Sequence, residues 1–278
     1  MERKKLAYSV VAVLVVVVVG VAVYLNSTGA SSLVAFDNIA VPQSQLATMR
    51  SITDNMTLAN KIGIGVATGV LLPVTNASRL TVNGTPEVLY MGADYCPFCA
   101  ATRWGLVLAL MRFGNFTSLH YMTSSASDYA PSTPTFTFYN SSYSSNIIDF
   151  VEVEMSTNYI PSGSSSYATL QTPTPFEGSL FTKYDLDNQL IPQGQRGGIP
   201  FIDFGNVSVA YGAAIDPKTF DNKQWNDIIS LLNDSGSQQA QAAIGAANLY
   251  TAQICAMTNG TPASVCSQPF IGAVKRYG

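Results

Sequence analysis

The apolar residues of the chain first occur in one long block. Leu6 to Leu25 form an apolar run of 20 residues with no charge, and Arg3, Lys4 and Lys5 stand just before it. This length matches the hydrocarbon core of a bilayer, and cations that precede such a run stay in the cytoplasm. We therefore predict a membrane anchor at 6–25 after a cytoplasmic tail at 1–5, with the rest of the chain outside the cytoplasm. A cleaved signal peptide is the alternative, although its apolar region is usually only about 7 to 15 residues long.

Beyond the anchor, strand-like and helix-like segments alternate. Residues 88–93 form an apolar run typical of a buried central strand. Residues 97–113 are predicted to form a mostly buried helix, because proline is tolerated at its start, a glycine follows its end and little polar face is left. Other helices are expected at about 43–55, 175–184, 225–232 and 240–257. Other strands are expected at 135–139, 147–155 and 199–209, the last as a hairpin that turns at Gly205-Asn206.

The motif Cys96-Pro97-Phe98-Cys99 lies where the apolar strand gives way to the helix. The thiolate of a cysteine at a helix start is stabilised by unpaired backbone N–H groups and by the helix dipole, which lowers its pKa. A second cysteine one turn later can resolve the mixed disulfide that the first one forms. The motif therefore predicts Cys96 as a nucleophile and Cys99 as a resolving thiol. Zinc binding and a plain structural bridge are the alternatives, and zinc would need two further ligands.

The other candidate ligands are few, since the chain contains four cysteines and one histidine. An even number of cysteines outside the cytoplasm suggests two pairs. Cys255 and Cys266 are predicted to close a structural disulfide, with a second redox pair that relays electrons to Cys96 and Cys99 as the alternative. His120 is expected to be a strand residue rather than a ligand or a base. No metal and no cofactor are predicted, because a chain with one histidine has too few histidines for most His-based metal sites and only one residue that could serve as the base of a Ser-His-Asp triad.

Neutral polar residues are expected to cover most of the exterior. Charged residues make up 11% of the chain, against about 25% in ordinary soluble proteins. The net charge of -3 offers no basic patch, so nucleic acid is not an expected partner. Nine of the 17 asparagines begin an N-x-S/T sequon, where chance would give about three, and this excess predicts a glycosylated domain. A surface rich in Ser, Thr and Asn that carries sequons by accident is the alternative. The nine are Asn26, Asn55, Asn76, Asn83, Asn115, Asn140, Asn206, Asn233 and Asn259.

The segment Gly198-Ile199-Pro200-Phe201 places a proline just before a strand, about a hundred residues after the cysteines. Together with the C-x-x-C motif, it makes the chain resemble the thioredoxin superfamily. The closer resemblance is to a family of uncharacterised membrane-anchored thioredoxin-like proteins of archaea and actinobacteria, over roughly residues 35–270. Its most specific stretches are Val82 to Cys99, Arg103-Trp104, Arg112-Phe113-Gly114, Pro134-Thr135-Phe136, Ile199 to Gly205 and Cys255 to Cys266.

The resemblance implies an α/β, thioredoxin-like fold over residues 86–278, with an insertion at about 123–195. A linker at 26–40 and an N-terminal extension at 41–85 are expected to precede it. By the resemblance Cys96 attacks, Cys99 resolves and Pro200 is a cis proline beside them. A cis bond would hold a bend in which Ile199 offers its backbone to an extended substrate, whereas a trans proline at a turn or an edge strand is the alternative.

One departure from the family pattern concerns the proton. Tyr90 stands where thioredoxin itself carries a buried acid in the strand before the cysteines. Proton transfer is therefore expected to use another group.

The function that follows is thiol-disulfide exchange outside the cytoplasm on exported, cysteine-containing proteins, with a membrane redox partner as a further candidate. The alternative is a non-enzymatic cell-surface glycoprotein that binds a partner and has a structural Cys96–Cys99 bridge. Reduction potential separates the two, because structural bridges lie below about -300 mV.

Overall fold

The computed structural model describes residues 33–68 and 71–274 of the chain. A mixed sheet covered by helices confirms the α/β class. The predicted anchor at 6–25, the predicted tail at 1–5 and the sequon at Asn26 lie outside the described residues. Among the helices that are described, none has the length and apolar character needed to cross a bilayer.

The main sheet is built around strand β3, Thr85–Gly92, whose residues from 87 onward are all buried. Strand β6, Asp149–Glu154, pairs with one edge of β3 in parallel, and β7, Phe201–Phe204, pairs antiparallel with the other edge. An apolar run such as Val88 to Met91 suits this central position, because both of its faces are covered. The sheet is completed by β8, Ser208–Tyr211, by β1, Leu71–Pro73, on the far side of β8, and by β2, Thr81–Val82, which forms a hairpin with the start of β3.

Helix α3, Pro97–Met111, follows β3 and is almost completely buried. It packs along α6, Gln238–Met257, and the two helices approach closely at Gly105, where a β-carbon would lie 2.7 Å from that of Ala246. Glycine therefore permits this contact. The remaining helices are α1, Gln43–Asp54; α2, Met56–Ile62; α4, Pro175–Phe181; α5, Trp225–Leu231; α7, Ala263–Cys266; and α8, Pro269–Val274.

A separate hairpin lies between α3 and β6. It consists of β4, Asn115–Thr123, which contains His120 as predicted, and β5, Pro134–Ser144. Residues 33–40, which the sequence assigned to a linker, are bound to β4: the Asn38 N–H donates to the Tyr121 carbonyl at 2.8 Å, and Leu33 is buried. This part of the predicted linker therefore belongs to the folded domain.

Two further segments differ from their sequence-based description. Residues 123–195 were expected to be an insertion, but β6 lies among them and is a strand of the main sheet. Residues 61–80, whose sequence has no regular apolar period, contain β1, which is only three residues long and is held by pairing with β8. The extension at 41–85 also shares the main core, since the Asn248 side chain on α6 donates to the Ala59 carbonyl of α2 at 2.9 Å.

Cys255 and Cys266 form a disulfide, the pairing expected from the sequence, with their α-carbons 5.5 Å apart. It joins the last turn of α6 to α7. Met257, two residues after Cys255, packs against Gly205 in the β7–β8 turn.

Replacing both Cys255 and Cys266 with serine should lower the free energy of unfolding by about 2–5 kcal/mol, because the unfolded chain then loses the restriction of a closed loop. Denaturant unfolding checks this, with the Cys96→Ser/Cys99→Ser double variant as the matched control. The control should lose less stability, since its cysteines are unpaired in the structure and are too close in sequence to restrict the chain much. Unfolding of the Cys255→Ser/Cys266→Ser variant at the wild-type midpoint would contradict the prediction.

Candidate functional site

The C-x-x-C motif opens α3 at the carboxyl end of β3. Cys96 is the N-cap of the helix, and its Sγ accepts a hydrogen bond from the Cys99 backbone N–H at 3.2 Å. Pro97 occupies the first helical position. A backbone N–H at that position has no acceptor within the helix, so proline costs no hydrogen bond there. The backbone N–H groups of the first helical turn, which have no acceptor within the helix, therefore point toward the Cys96 sulfur, as expected for a helix start.

The second part of the site is the chain that enters β7. The Ile199–Pro200 peptide bond is cis, as the family resemblance implies. The Ile199 carbonyl oxygen lies 3.7 Å from Cys96 Sγ, which is within hydrogen-bond range for a thiol donor. Pairing of Met91 with Phe201 brings this segment next to the end of β3. Four residues singled out in the sequence, Cys96, Cys99, Ile199 and Pro200, therefore meet at one place.

The other two cysteines are elsewhere. The Cys255–Cys266 disulfide lies beside the β7–β8 turn, at the opposite end of β7 from Pro200. Contact with Cys96 or Cys99 is absent, so the disulfide is not placed to exchange with them.

The two thiols at the helix start have opposite pKa shifts. The pKa of Cys96 is lowered, chiefly by a hydrogen bond from the Cys99 thiol, with help from the Cys99 backbone N–H and the positive charge of Arg103. The pKa of Cys99 is raised well above its usual range, first by burial and then by its hydrogen bond to Cys96 and the charge of that thiolate. Cys96 is 5% exposed and Cys99 fully buried. Cys96 therefore has the more acidic and more accessible thiol of the pair, and Cys99 the more shielded one.

A buried ion pair lies behind the thiols. Arg103, on α3, donates to Glu154 at the end of β6 through Nε (2.8 Å) and Nη2 (2.6 Å), and to the Ala93 carbonyl at 2.8 Å. Neither Arg103 nor Glu154 has any exposed surface. Asp94 completes the cluster, with Oδ1 3.6 Å from Arg103 Nη2. Tyr90 lies beside the cluster, with its ring centroid 5.8 Å from the Arg103 guanidinium carbon.

Asp94 connects this cluster to a polar cavity of about 320 Å³. Burial, followed by the negative charge of Glu154, raises the pKa of Asp94 to about 7. His120 also lines the cavity, together with Asn38, Asn158 and Tyr159, whereas neither Cys96 nor Cys99 does. Within residues 33–68 and 71–274, no group of three or more His, Cys, Asp or Glu side chains could hold a metal ion.

Two pairs of stacked aromatic rings include residues near Cys96 in the sequence, and one of the pairs is exposed. Phe98, inside the motif, is 40% exposed and stacks on Tyr129, which is 50% exposed, with ring centroids 5.5 Å apart. The Lys218 ammonium lies 4.1 Å from the Tyr129 ring centroid. Tyr95, just before Cys96, stacks on Tyr167 with centroids 4.2 Å apart. This aromatic rim, formed by Tyr95, Phe98, Tyr129 and Tyr167, offers apolar surface next to Cys96.

Asp94 and Glu154 were not predicted from the sequence, and Arg103 was predicted only as part of the family resemblance, without a role in the site. A signal was present, because Arg103 is a charged residue on an otherwise apolar helix, four positions after Cys99. A buried charge needs a partner. The partner could not be identified without the structure, since it lies on β6, 51 residues away.

We expect alkylation of the reduced, native protein to modify Cys96 before Cys99 at every pH between 5 and 9, because Cys96 has the lower pKa and the more exposed sulfur. Peptide mass spectrometry measures the two rates separately. In denaturant the two rates should converge, which serves as the control. Faster modification of Cys99 below pH 7 would reverse the assignment.

The double variant Arg103→Met/Glu154→Gln should raise the pKa of Cys96, because the positive charge that lowers it is lost. Arg103→Met alone should also destabilise the protein by about 3–5 kcal/mol, since it leaves Glu154 buried without a partner. Thiolate absorbance against pH measures the pKa, and Arg79→Met, which removes an exposed cation beside the β7–β8 turn, is the control. An unchanged pKa in the double variant would show that Arg103 does not tune the thiol.

Comparison with known protein families gives a match over most of the folded region. A family model described as a domain of unknown function, DUF929, matches residues 73–256, which include Cys96, Cys99, Arg103, Glu154 and Pro200. No curated protein and no solved structure is significantly similar to the chain. Because the matched region covers well over half of the sequence and contains the whole candidate site, the protein belongs to the DUF929 family.

Proposed function

We propose that this protein is a thioredoxin-like thiol-disulfide oxidoreductase that acts outside the cytoplasm on exported, cysteine-containing proteins. One observation carries the proposal. The Cys96 sulfur is the N-cap of a buried helix, with a lowered pKa, and it faces the Ile199 carbonyl while Cys99 lies behind it. An activated first thiol with a shielded second thiol is the arrangement that disulfide exchange requires.

The sheet supports the thioredoxin-like interpretation. The cysteines follow the carboxyl end of β3, the edge at which open α/β sheets bind their ligands. The chain before β7, with Pro200, lies beside them because β7 is the neighbour of β3. The family resemblance requires this same juxtaposition of motif and proline.

The chemistry follows from the two pKa shifts. The Cys96 thiolate attacks one sulfur of a substrate disulfide; a Cys96–substrate S–S bond forms, and the other substrate sulfur leaves as a thiolate that takes a proton from water. Cys99 then gives its proton to water and attacks Cys96 Sγ; the Cys96–substrate bond breaks, the second substrate sulfur leaves as a thiolate that takes a proton from water, and a Cys96–Cys99 disulfide remains. Two electrons have passed to the substrate. The reverse sequence oxidises a substrate dithiol.

The surroundings of Cys96 favour a protein substrate over a small thiol. The Ile199 carbonyl can accept a backbone N–H from an extended chain. Phe98 and Tyr129 offer exposed apolar surface next to it. The proposal needs no cofactor, since electrons enter and leave through thiols, and a membrane redox partner would return the pair to its starting state. The localisation rests on the apolar run at 6–25 and on the sequons.

The second candidate is a non-enzymatic surface glycoprotein that binds a partner. The burial of both sulfurs favours it, because Cys96 has only 5% of its surface exposed. In that case the Cys96–Cys99 bridge is structural and its potential lies below about -300 mV. Equilibration with glutathione or dithiothreitol buffers decides between the two.

The Cys96→Ser/Cys99→Ser variant should lose all exchange with a model protein disulfide, whereas Cys255→Ser/Cys266→Ser should keep most of it, because the second pair lies away from the site. A turbidity or fluorescence assay of disulfide reduction measures both. Cys99→Ala should accumulate mixed disulfides on non-reducing gels, since the resolving thiol is missing. Loss of exchange in the Cys255→Ser/Cys266→Ser variant at wild-type stability would show that this pair is a relay.

A further inference from the structure

Eight of the nine sequons lie within the described residues, and the structure separates them into two groups. Seven have exposed asparagines: Asn55, Asn76, Asn83, Asn115, Asn140, Asn233 and Asn259. The eighth, Asn206, is half-buried; its Nδ2 donates to the Ser78 carbonyl at 2.8 Å, and its Oδ1 is buried without a partner. A sugar on that nitrogen would have to displace the segment that contains Ser78.

The exposed sequons are concentrated at one end of the domain. Asn83 lies in the β2–β3 turn, at the start of the strand whose other end leads to Cys96. A strand of eight residues spans about 26 Å. Asn76 lies in the segment packed on the β7–β8 turn, where Leu80 N–H donates to the Gly205 carbonyl. Asn259 follows α6, whose last residue packs on the same turn.

Two more sequons lie at the same end. Asn115 follows α3, which carries the chain about 22 Å away from Cys96. Asn55 lies between α1 and α2, and Arg50, one turn before it, donates to the Asn115 side chain and to the Met111 carbonyl. We call this end, with Asn55, Asn76, Asn83, Asn115 and Asn259, the distal end.

The rim around Cys96 has no such sites. The segments that form it, 93–98, 125–129, 198–200 and 212–218, contain no sequon, and none begins between Asn140 and Asn206. Asn140 in β5 is exposed and lines the cavity that also contains Asp94, so it is not a site of the distal end. Asn233, after α5, is also exposed and is not counted with the distal end.

We propose that N-linked glycans occupy the exposed sequons of the distal end and that Asn206 stays unmodified, so that sugar covers the end opposite the thiols. In the transfer, the asparagine nitrogen attacks the anomeric carbon of a lipid-phosphate-linked oligosaccharide. A C–N bond forms, the amide nitrogen loses one proton, and the lipid phosphate leaves with the electrons of the broken C–O bond. The proposal needs the export of the domain but not its redox activity.

Glycans at the distal end would also help to keep a surface with few charges soluble. The chain has 11% charged residues, and glycans are bulky and solubilising. Sugar at the distal end would hydrate the surface while a protein substrate still reached Phe98 and Cys96.

Glycopeptide mass spectrometry on the full chain, isolated from the cells that make it, tests the proposal. We expect glycan mass on the peptides with Asn76, Asn83 and Asn259 and none on the peptide with Asn206. Glycan on Asn206, or bare peptides at all three distal sites, would overturn the proposal. Disulfide exchange by the same preparation is measured separately, so either proposal can fail alone.

A matched pair of variants sharpens the test. Thr85→Ala destroys the sequon of Asn83 and should reduce the intact mass by one glycan, whereas Thr85→Ser keeps the sequon and should not. Asn206→Gln should leave the glycan mass unchanged. An identical glycan mass in Thr85→Ala and Thr85→Ser would contradict occupancy of Asn83.

Discussion

A guanidinium keeps its charge at physiological pH, so a fully buried Arg103 obliges the surrounding chain to supply acceptors. Two come from Glu154 at the end of β6, and one comes from the Ala93 carbonyl after β3. Three segments, two from the sheet and one from α3, therefore meet at this side chain. An intact buried pair adds little net stability, but loss of one partner is costly. The ion pair thus holds α3, the helix that begins with the C-x-x-C motif, in a defined position against the sheet.

The same charge takes part in the asymmetry of the thiols. Arg103 helps to lower the pKa of Cys96, but it cannot overcome the burial that raises the pKa of Cys99. Part of the rise at Cys99 comes from the negative charge of Cys96 itself. In the exchange proposed above, a mixed disulfide at Cys96 would remove that charge and lower the pKa of Cys99. Cys99 would then be easier to ionise after the first step than before it, which would set the order of the two steps.

Sequence patterns predicted the parts of the fold that depend on local composition. The apolar run of β3, the proline at the start of α3 and the Gly205-Asn206 turn are local signals, and the structure contains all three elements. The pairing of β6 with β3 is not local, because it joins residues about 60 positions apart across α3 and a separate hairpin. Short strands such as β1 carry too few residues for a period to show.

The candidate site divides in the same way. The positions of Cys96 and Cys99 follow from a motif of four residues, and Pro200 entered through a family resemblance. The cluster of Arg103, Glu154 and Asp94 was not predicted. A buried charge can be assigned a role only when its partner is known, and here the partners are brought together by tertiary contacts. A minimal dithiol would need only the helix start to activate its first sulfur. Here a buried cation held by the sheet contributes as well, so the lowered pKa of Cys96 depends partly on tertiary contacts and not on the motif alone.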